Sequence, residues 1–95
     1  MAKYRLSKEA EKDLIRIHHY GVEQFGMVQA DNYFNLFFEY FDIITQRSFS
    51  FESVDYIKKD YRRCVCGVHS IYFRLNEEKV DIMAIIGREN INEKL

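Results

Sequence analysis

The sequence has little of what marks a secreted, membrane-bound or disulfide-linked protein. It contains no proline, no tryptophan, four glycines and two cysteines. Its start, MAKYRLSKEAEKDL, lacks the apolar stretch of a signal peptide, and no apolar run approaches the ~18 residues of a membrane span. Cys64 and Cys66 are two positions apart, a poor spacing for a disulfide within one strand. We therefore expect a soluble cytoplasmic protein.

The chain also lacks a strong overall charge. Its formal net charge is -1, which predicts neither attraction to nucleic acid nor rejection of it. The distribution is more informative, because residues 58–74 carry five basic side chains against one acid, Asp60. One face of the protein is therefore predicted to be locally positive, and no sequence-specific nucleic-acid binding is expected.

A metal site is not predicted. Cys64, Cys66 and His69 have some of the right chemistry, but a structural zinc site needs four ligands and usually a CxxC pair. The cysteines are better explained as small buried side chains in a strand. His69 is interpreted as a hydrogen-bonded structural histidine at the start of a strand. We expect no cofactor.

Aromatic residues, in contrast, are abundant. Hydrophobic residues make up 47% of the chain and aromatic ones 16%, which is enough for the core of a two-layer domain. The length of 95 residues predicts one domain over 1–95. The polar end, residues 88–95, is expected to be a mobile tail.

Hydrophobic periodicity predicts the element order β-α-α-β-β-β. The first predicted elements are a strand at Lys3–Leu6 and helices from Ser7 to about Phe25 and from Met27 to Arg47. A connector at 48–60 follows, and then come strands at Tyr61–Val65, His69–Leu75 and Lys79–Ile86. Ser7 is the predicted N-cap of the first helix. This order indicates an α+β fold, an antiparallel sheet with a helical hairpin packed on one face.

Strand alternation predicts which side chains face the helices. Ile71, Phe73 and Leu75 are expected on the helix side. Basic and polar side chains are expected on an open second face, namely Lys3, Arg5, Arg63, Ser70, Tyr72 and Arg74. In the last strand, the alternation predicts one shared side for Val80, Ile82, Ala84 and Ile86. The apolar arc of the second helix is about 220° wide, against the ~100° of an ordinary surface helix, so that helix should be covered from more than one direction.

Four stretches together resemble the ParE branch of the RelE/ParE toxin superfamily. They are YRLSKEAEKDLIRI, YGVEQFGMVQADNYFNLFFEYFDII, GVHSIYFRL and VDIMAIIGREN, and they span Tyr4 to Asn90 in the family's order. The chain departs from the family by lacking the usual proline-containing turns after the second helix.

The resemblance implies the toxin of a type II toxin–antitoxin pair. Such a toxin would poison DNA gyrase by binding, without being an enzyme and without catalytic residues, and a ParD-like antitoxin would neutralise it in a hetero-oligomer. A RelE-like ribosome-dependent mRNA endoribonuclease is the alternative, but the C-terminal tyrosine of RelE-like enzymes is missing, since no tyrosine follows Tyr72. A non-toxic antitoxin-binding module is a third possibility.

Two surfaces are candidates for these contacts. The predicted target-contact residues are Arg63, Tyr72, Arg74 and Arg88, although a basic sheet face can also be simply solvated. The predicted antitoxin groove uses one edge of the second helix, with Tyr33, Leu36, Tyr40 and Ile43, although this edge could also be core. For RNA cleavage, the candidate acid, base and cations are His69, Arg62, Arg63, Tyr72, Arg74 and Arg88, and strand parity separates them.

Overall fold

The computed structural model describes residues 4–77 and 79–87 and has the predicted element order, with one additional short strand. The elements are β1 (Tyr4–Leu6), α1 (Lys8–Phe25), α2 (Met27–Gln46), a 3-10 turn (Ser48–Ser50), β2 (Glu52–Ser53), β3 (Arg62–Cys66), β4 (His69–Asn76) and β5 (Lys79–Gly87). The α+β prediction is therefore confirmed, while β2 within the connector was not predicted. The predicted tail, 88–95, and Lys3 lie outside the described residues.

The helical hairpin follows from local sequence signals. The Ser7 side chain accepts a hydrogen bond from the Ala10 backbone N–H at 3.0 Å, as predicted for an N-cap. Gly26 has a φ of +91°, which allows the chain to reverse between α1 and α2. Gly21 allows the helices to approach closely, because an added Cβ would lie 3.3 Å from Ala30 Cβ. Within the described residues, neither helix combines the length and apolarity that crossing a membrane requires.

The sheet is mixed rather than wholly antiparallel. Its strand order is β1-β5-β4-β3-β2, and β1 pairs with β5 in parallel while the other pairs are antiparallel. The predicted antiparallel sheet is thus wrong at this one edge, because β1 and β5 are not joined by a turn that would set their direction. As expected, β1 contributes to the core, where the Tyr4 and Phe41 ring centres lie 5.2 Å apart.

A β-bulge reverses the side-chain alternation part-way along β5. Phe73 pairs with Ile82 and Tyr72 pairs with Ala84, so Met83 is an extra residue in the register. Beyond the bulge the two faces exchange places. The predicted shared side of β5 is therefore wrong. Buried apolar residues of β5 on the helix side are Val80, Ile82 and Ile85, and those on the other side are Ala84 and Ile86.

Both faces of the sheet are covered. The helices pack on the first, which we call the helix-covered face, where Phe37, Phe41, Ile71 and Phe73 are fully buried. The second, the connector-covered face, has its own apolar cluster, which consists of Val54, Tyr61, Tyr72, Ala84 and Ile86. The expectation of an open second face is therefore wrong at Ser70 and Tyr72, where residues 52–61 fold across it, while Arg5 and Arg74 are exposed as expected.

Where β1 ends, Ser7 and helix α1 supply hydrogen-bond partners to the backbone of β5 in place of a neighbouring strand. The backbone N–H of Ser7 donates to the Ile82 carbonyl at 3.0 Å, and the Ser7 hydroxyl donates to the Met83 carbonyl at 2.9 Å. The buried Asp13 carboxylate accepts a hydrogen bond from the Ile85 backbone N–H at 2.9 Å. These contacts satisfy polar groups of β5 that no strand reaches.

Candidate functional site

An apolar groove of about 550 Å³ lies beside the first half of α2. Its walls come from α1, α2 and the β3–β4 turn, and they include Tyr20, Phe25, Tyr33, Phe34, Leu36 and Val68. Tyr20, Phe25 and Val68 remain strongly exposed. The groove therefore offers apolar surface to another molecule.

Two of the four predicted groove residues line this feature. Tyr33 and Leu36 form part of its wall. Tyr40 and Ile43 do not, but they continue the same side of α2 at helical spacing. Ile43 is 42% exposed, while Leu36 and Tyr40 pack partly against the core. The predicted edge is therefore neither fully core nor fully surface.

The groove has a small polar floor. The Tyr33 hydroxyl donates to the Cys66 carbonyl at 3.0 Å and lies 2.9 Å from His69 Nδ1. Burial raises the pKa of Tyr33, so the hydroxyl keeps its proton near neutral pH. Gly67 leaves room for it, since a Cβ there would lie 2.6 Å from the Tyr33 oxygen. His69 is hydrogen-bonded at the start of β4, as predicted.

The structure places Arg63 and Tyr72 side by side across β3 and β4, where both contact other parts of the protein. Arg63 makes two hydrogen bonds to Glu52, at 3.1 and 3.2 Å, and a third to the Tyr56 hydroxyl at 3.3 Å. The pKa of Arg63 is raised by its hydrogen bond to Glu52 and then by one to Tyr72. Arg63 is therefore tied to the connector.

Tyr72 does not face solvent. It is 1% exposed, because Val54 and Tyr61 of the connector-covered face pack against it. Its predicted contact with a target is therefore wrong in this conformation. The apolar residues of the connector were the signal in the sequence that this face of the sheet would be covered. Arg88 lies outside the described residues.

Arg74 belongs to a charge cluster around Asp81, a residue that sequence reasoning did not select. The Asp81 carboxylate is 5% exposed and lies 3.0 Å from Arg5 and 3.6 Å from Arg74. It also accepts a hydrogen bond from the Asn76 amide at 3.3 Å. A carboxylate buried to this degree needs such partners. In the sequence, Asp81 could have been recognised as an acid that lies between two buried apolar residues, Val80 and Ile82.

The candidate RNase residues do not form one site. His69 is held in the groove floor at the start of β4, and Arg74 lies five residues further along, or about 16 Å at the usual strand rise. Arg62 lies near Arg74, where it donates to the Phe51 carbonyl at 2.7 Å. General acid–base cleavage needs these groups around one phosphate, so the described residues do not assemble that chemistry.

The two cysteines are buried free thiols on the helix-covered face. Burial raises the pKa of each thiol to about 11, so both remain protonated and unreactive at neutral pH. Among the described residues, no group of three or more potential metal ligands lies together.

Residues 4–92 match the protein family described as "ParE toxin of type II toxin-antitoxin system, parDE". The chain belongs to the ParE toxin family. It is similar to Toxin ParE1 of Caulobacter vibrioides, with 28% identity over 86 residues that cover 90% of this chain and 88% of that protein. The predicted resemblance is thus confirmed.

The fold of this ParE toxin also matches a solved structure. The "Chromosomal ParDE TA system from P. aeruginosa" has a TM-score of 0.80 and 18% identity, covering 92% of this chain and 96% of that one. The family places the chain as the toxin of a type II toxin–antitoxin system, with an antitoxin partner, and it points to a protein that is not an enzyme.

Proposed function

We propose that this ParE toxin poisons DNA gyrase by binding it, stabilises the cleaved-DNA complex, and is neutralised by a ParD-like antitoxin. The observation that carries the proposal is the family match over residues 4–92, which includes both the helical hairpin and the sheet. The separation of His69 from the arginines supports binding rather than bond breaking. Since bacterial gyrase acts on chromosomal DNA, the proposed place of action is the cytoplasm.

The antitoxin is proposed to dock in the apolar groove and along the adjoining edge of α2. An amphipathic helix can bury its apolar face in such a groove, with anchors at every third or fourth residue. Tyr33, Leu36, Tyr40 and Ile43 follow the same spacing on α2 and are the proposed contacts. The exposed side chains of Ile43 and Tyr20 would be covered by this partner.

Contact with the target is proposed at Arg63, Arg74 and the segment from Arg88 onward. Arg74 is the best placed of these, because its side chain is 46% exposed. Arg63 would have to exchange Glu52 for a carboxylate or phosphate of the target. Deleting residues 88–95 should abolish toxicity while antitoxin binding is retained. Unchanged growth inhibition by the truncated toxin would remove that segment from the proposal.

The test is gyrase supercoiling in vitro with purified toxin, scored for linear cleaved DNA. We expect inhibition with accumulation of linear DNA, and reversal when the cognate antitoxin is added first. If gyrase is unaffected while the same toxin preparation stops cell-free translation with cut mRNA, the RelE-like alternative replaces this proposal. No effect in either assay would indicate a non-toxic antitoxin-binding module.

A further inference from the structure

A second pocket, with polar walls, lies where the connector meets the start of β3 and the end of β4. Its volume is about 510 Å³, and its lining includes three basic side chains, Lys59, Arg62 and Arg74, and the aromatic ring of Phe49. Among the described residues it shares no lining residue with the apolar groove. We call it the polar pocket.

The two arginines of the polar pocket are held in place by the protein itself. Arg62 donates to the Phe51 carbonyl and its guanidinium lies 5.1 Å from the centre of the Phe49 ring. Arg74 is positioned by the buried Asp81 carboxylate. Fixed guanidinium groups suit a phosphate or carboxylate ligand, because less side-chain freedom is lost on binding.

Two acids also line the polar pocket. The Asp55 carboxylate accepts the Asp60 backbone N–H at 2.7 Å, so Asp55 serves the turn of the connector. Asp60 has a φ of +68° and is exposed at that turn. The lining therefore keeps a net positive formal charge of one, from three basic and two acidic side chains. An anionic ligand is favoured, with modest affinity.

The aromatic ring identifies the class of anion. Phe49 is 77% exposed at the pocket, next to the Arg62 guanidinium. A base can stack on such a ring, and base–aromatic stacking contributes about 1–3 kcal/mol without regard to sequence. An acidic peptide would use the cations but not the ring. A duplex would not present the face of a base.

We propose that the polar pocket binds one nucleotide of a single-stranded nucleic acid, with the base on Phe49 and the phosphate between Lys59 and Arg74. The pocket volume falls within the usual range for small-ligand sites. With a net charge of -1 on the chain, binding is weak and is lost as salt rises. The inference is independent of gyrase, although a toxin that traps cleaved DNA would meet unpaired ends.

The test is fluorescence anisotropy of a labelled short oligothymidylate with the purified full-length toxin at low salt. Phe49→Leu should weaken binding about fivefold or more, the equivalent of one lost stacking contact. Arg74→Gln should also weaken binding, because a contact to the phosphate is lost. Lys12→Gln is the matched control, because it removes a positive charge from a 74% exposed side chain on α1. The control should bind like the unaltered toxin.

Three outcomes would overturn the proposal. Phe49→Leu could bind as tightly as Lys12→Gln, which would remove the stacking role. A short polyglutamate could displace the oligonucleotide as well as unlabelled oligothymidylate does, which would indicate a general anion surface. A blunt duplex could bind equally well. Thermal melting of each variant shows whether it is folded, and the exposed ring of Phe49 makes its replacement the safer one for the fold.

Discussion

The two faces of the sheet are buried by different means. Among the described residues, the helix-covered face has a cluster of thirteen buried residues and the connector-covered face has five. Two long helices bury the first, while Val54, Ile57 and Tyr61 of the loop after β2 bury the second. The helix-covered face should therefore provide most of the stability, and the connector-covered face should tolerate more change.

The same difference extends to the pockets. The apolar groove is beside the helices and the polar pocket is beside the connector, with similar volumes of about 550 and 510 Å³. One surface favours an apolar partner and the other an anion. Among the described residues the two surfaces share no lining residue, so they can be tested separately.

The largest effect is expected from truncating the core of the helix-covered face. Phe37→Ala should lower the free energy of unfolding by about 3–5 kcal/mol, because a large, fully buried ring leaves a cavity. Tyr72→Ala removes a ring of similar size from the connector-covered face and should lower it by less, about 2 kcal/mol, because the loop over that face can collapse into the cavity. Urea unfolding measures both. Equal losses would contradict the proposed division of stability.

A charge in the apolar groove should have the next largest effect, on antitoxin binding. Leu36→Asp should weaken affinity for the antitoxin about a hundredfold, since the carboxylate would be buried by the partner without a counter-charge. Asn35→Asp adds the same charge to an exposed neighbouring position of α2 and should leave affinity nearly unchanged. Calorimetric titration compares them, and the groove is misplaced if the two variants bind alike.

Removing the link between α1 and β5 should have an intermediate effect. Asp13→Ala should lower the free energy of unfolding by about 2 kcal/mol, because the buried backbone N–H of Ile85 loses its acceptor. Asp13→Asn keeps an acceptor oxygen and should lose less than half as much. If both variants lose the same free energy of unfolding, the loss comes from the ion pair of Asp13 with Arg16, 3.0 Å apart, because both substitutions remove it.

Local signals were sufficient to predict the helices and the order of the elements. Ser7 caps α1 with its side chain, Gly26 reverses the chain, and Ile71 and Phe73 point to the helices, all as the pattern indicated. Each of these features depends on neighbours close in sequence. Of the four residues chosen from the width of the apolar arc on α2, Tyr33 and Leu36 line the apolar groove and Tyr40 and Ile43 do not. Their contact with an antitoxin stays a prediction.

Features that depend on distant parts of the chain were missed. The bulge at Met83 changes the face of every later residue in β5, yet Met83 itself fits a regular alternation. The burial of Tyr72 depends on Val54, eighteen positions away in a connector without periodicity. The hydrogen bond of Asp13 to β5 and the ion pair of Asp81 with Arg5 form because α1 and β1 lie against β5. These elements are far apart in the sequence, so no short stretch of it contains both partners.

A smaller effect is expected at the turn below the apolar groove. Gly67→Ala should lower the free energy of unfolding by about 2 kcal/mol, because φ is +60° and the new methyl group would displace the Tyr33 ring. The matched control is Gly67→Ala in a Tyr33→Ala background, where the backbone strain at φ +60° remains but no ring lies against the added methyl group, and about 1 kcal/mol is expected. Thermal unfolding of both variants isolates the contact with Tyr33, which would be refuted by equal losses.

The two buried thiols should make the stability of the toxin depend on pH only in alkali. Burial raises the pKa of Cys64 and Cys66 from an ordinary value of 9.0 to about 11. A raised pKa means that the folded state holds the proton more tightly, so this contribution is complete below pH 9 and is lost between about pH 9 and 11. Urea unfolding at pH 8 and pH 10 should show a steeper loss for the unaltered toxin than for a Cys64→Ala, Cys66→Ala double variant. Equal slopes would mean that the thiols reach solvent, and that the helix-covered face is less tightly closed than its buried residues indicate.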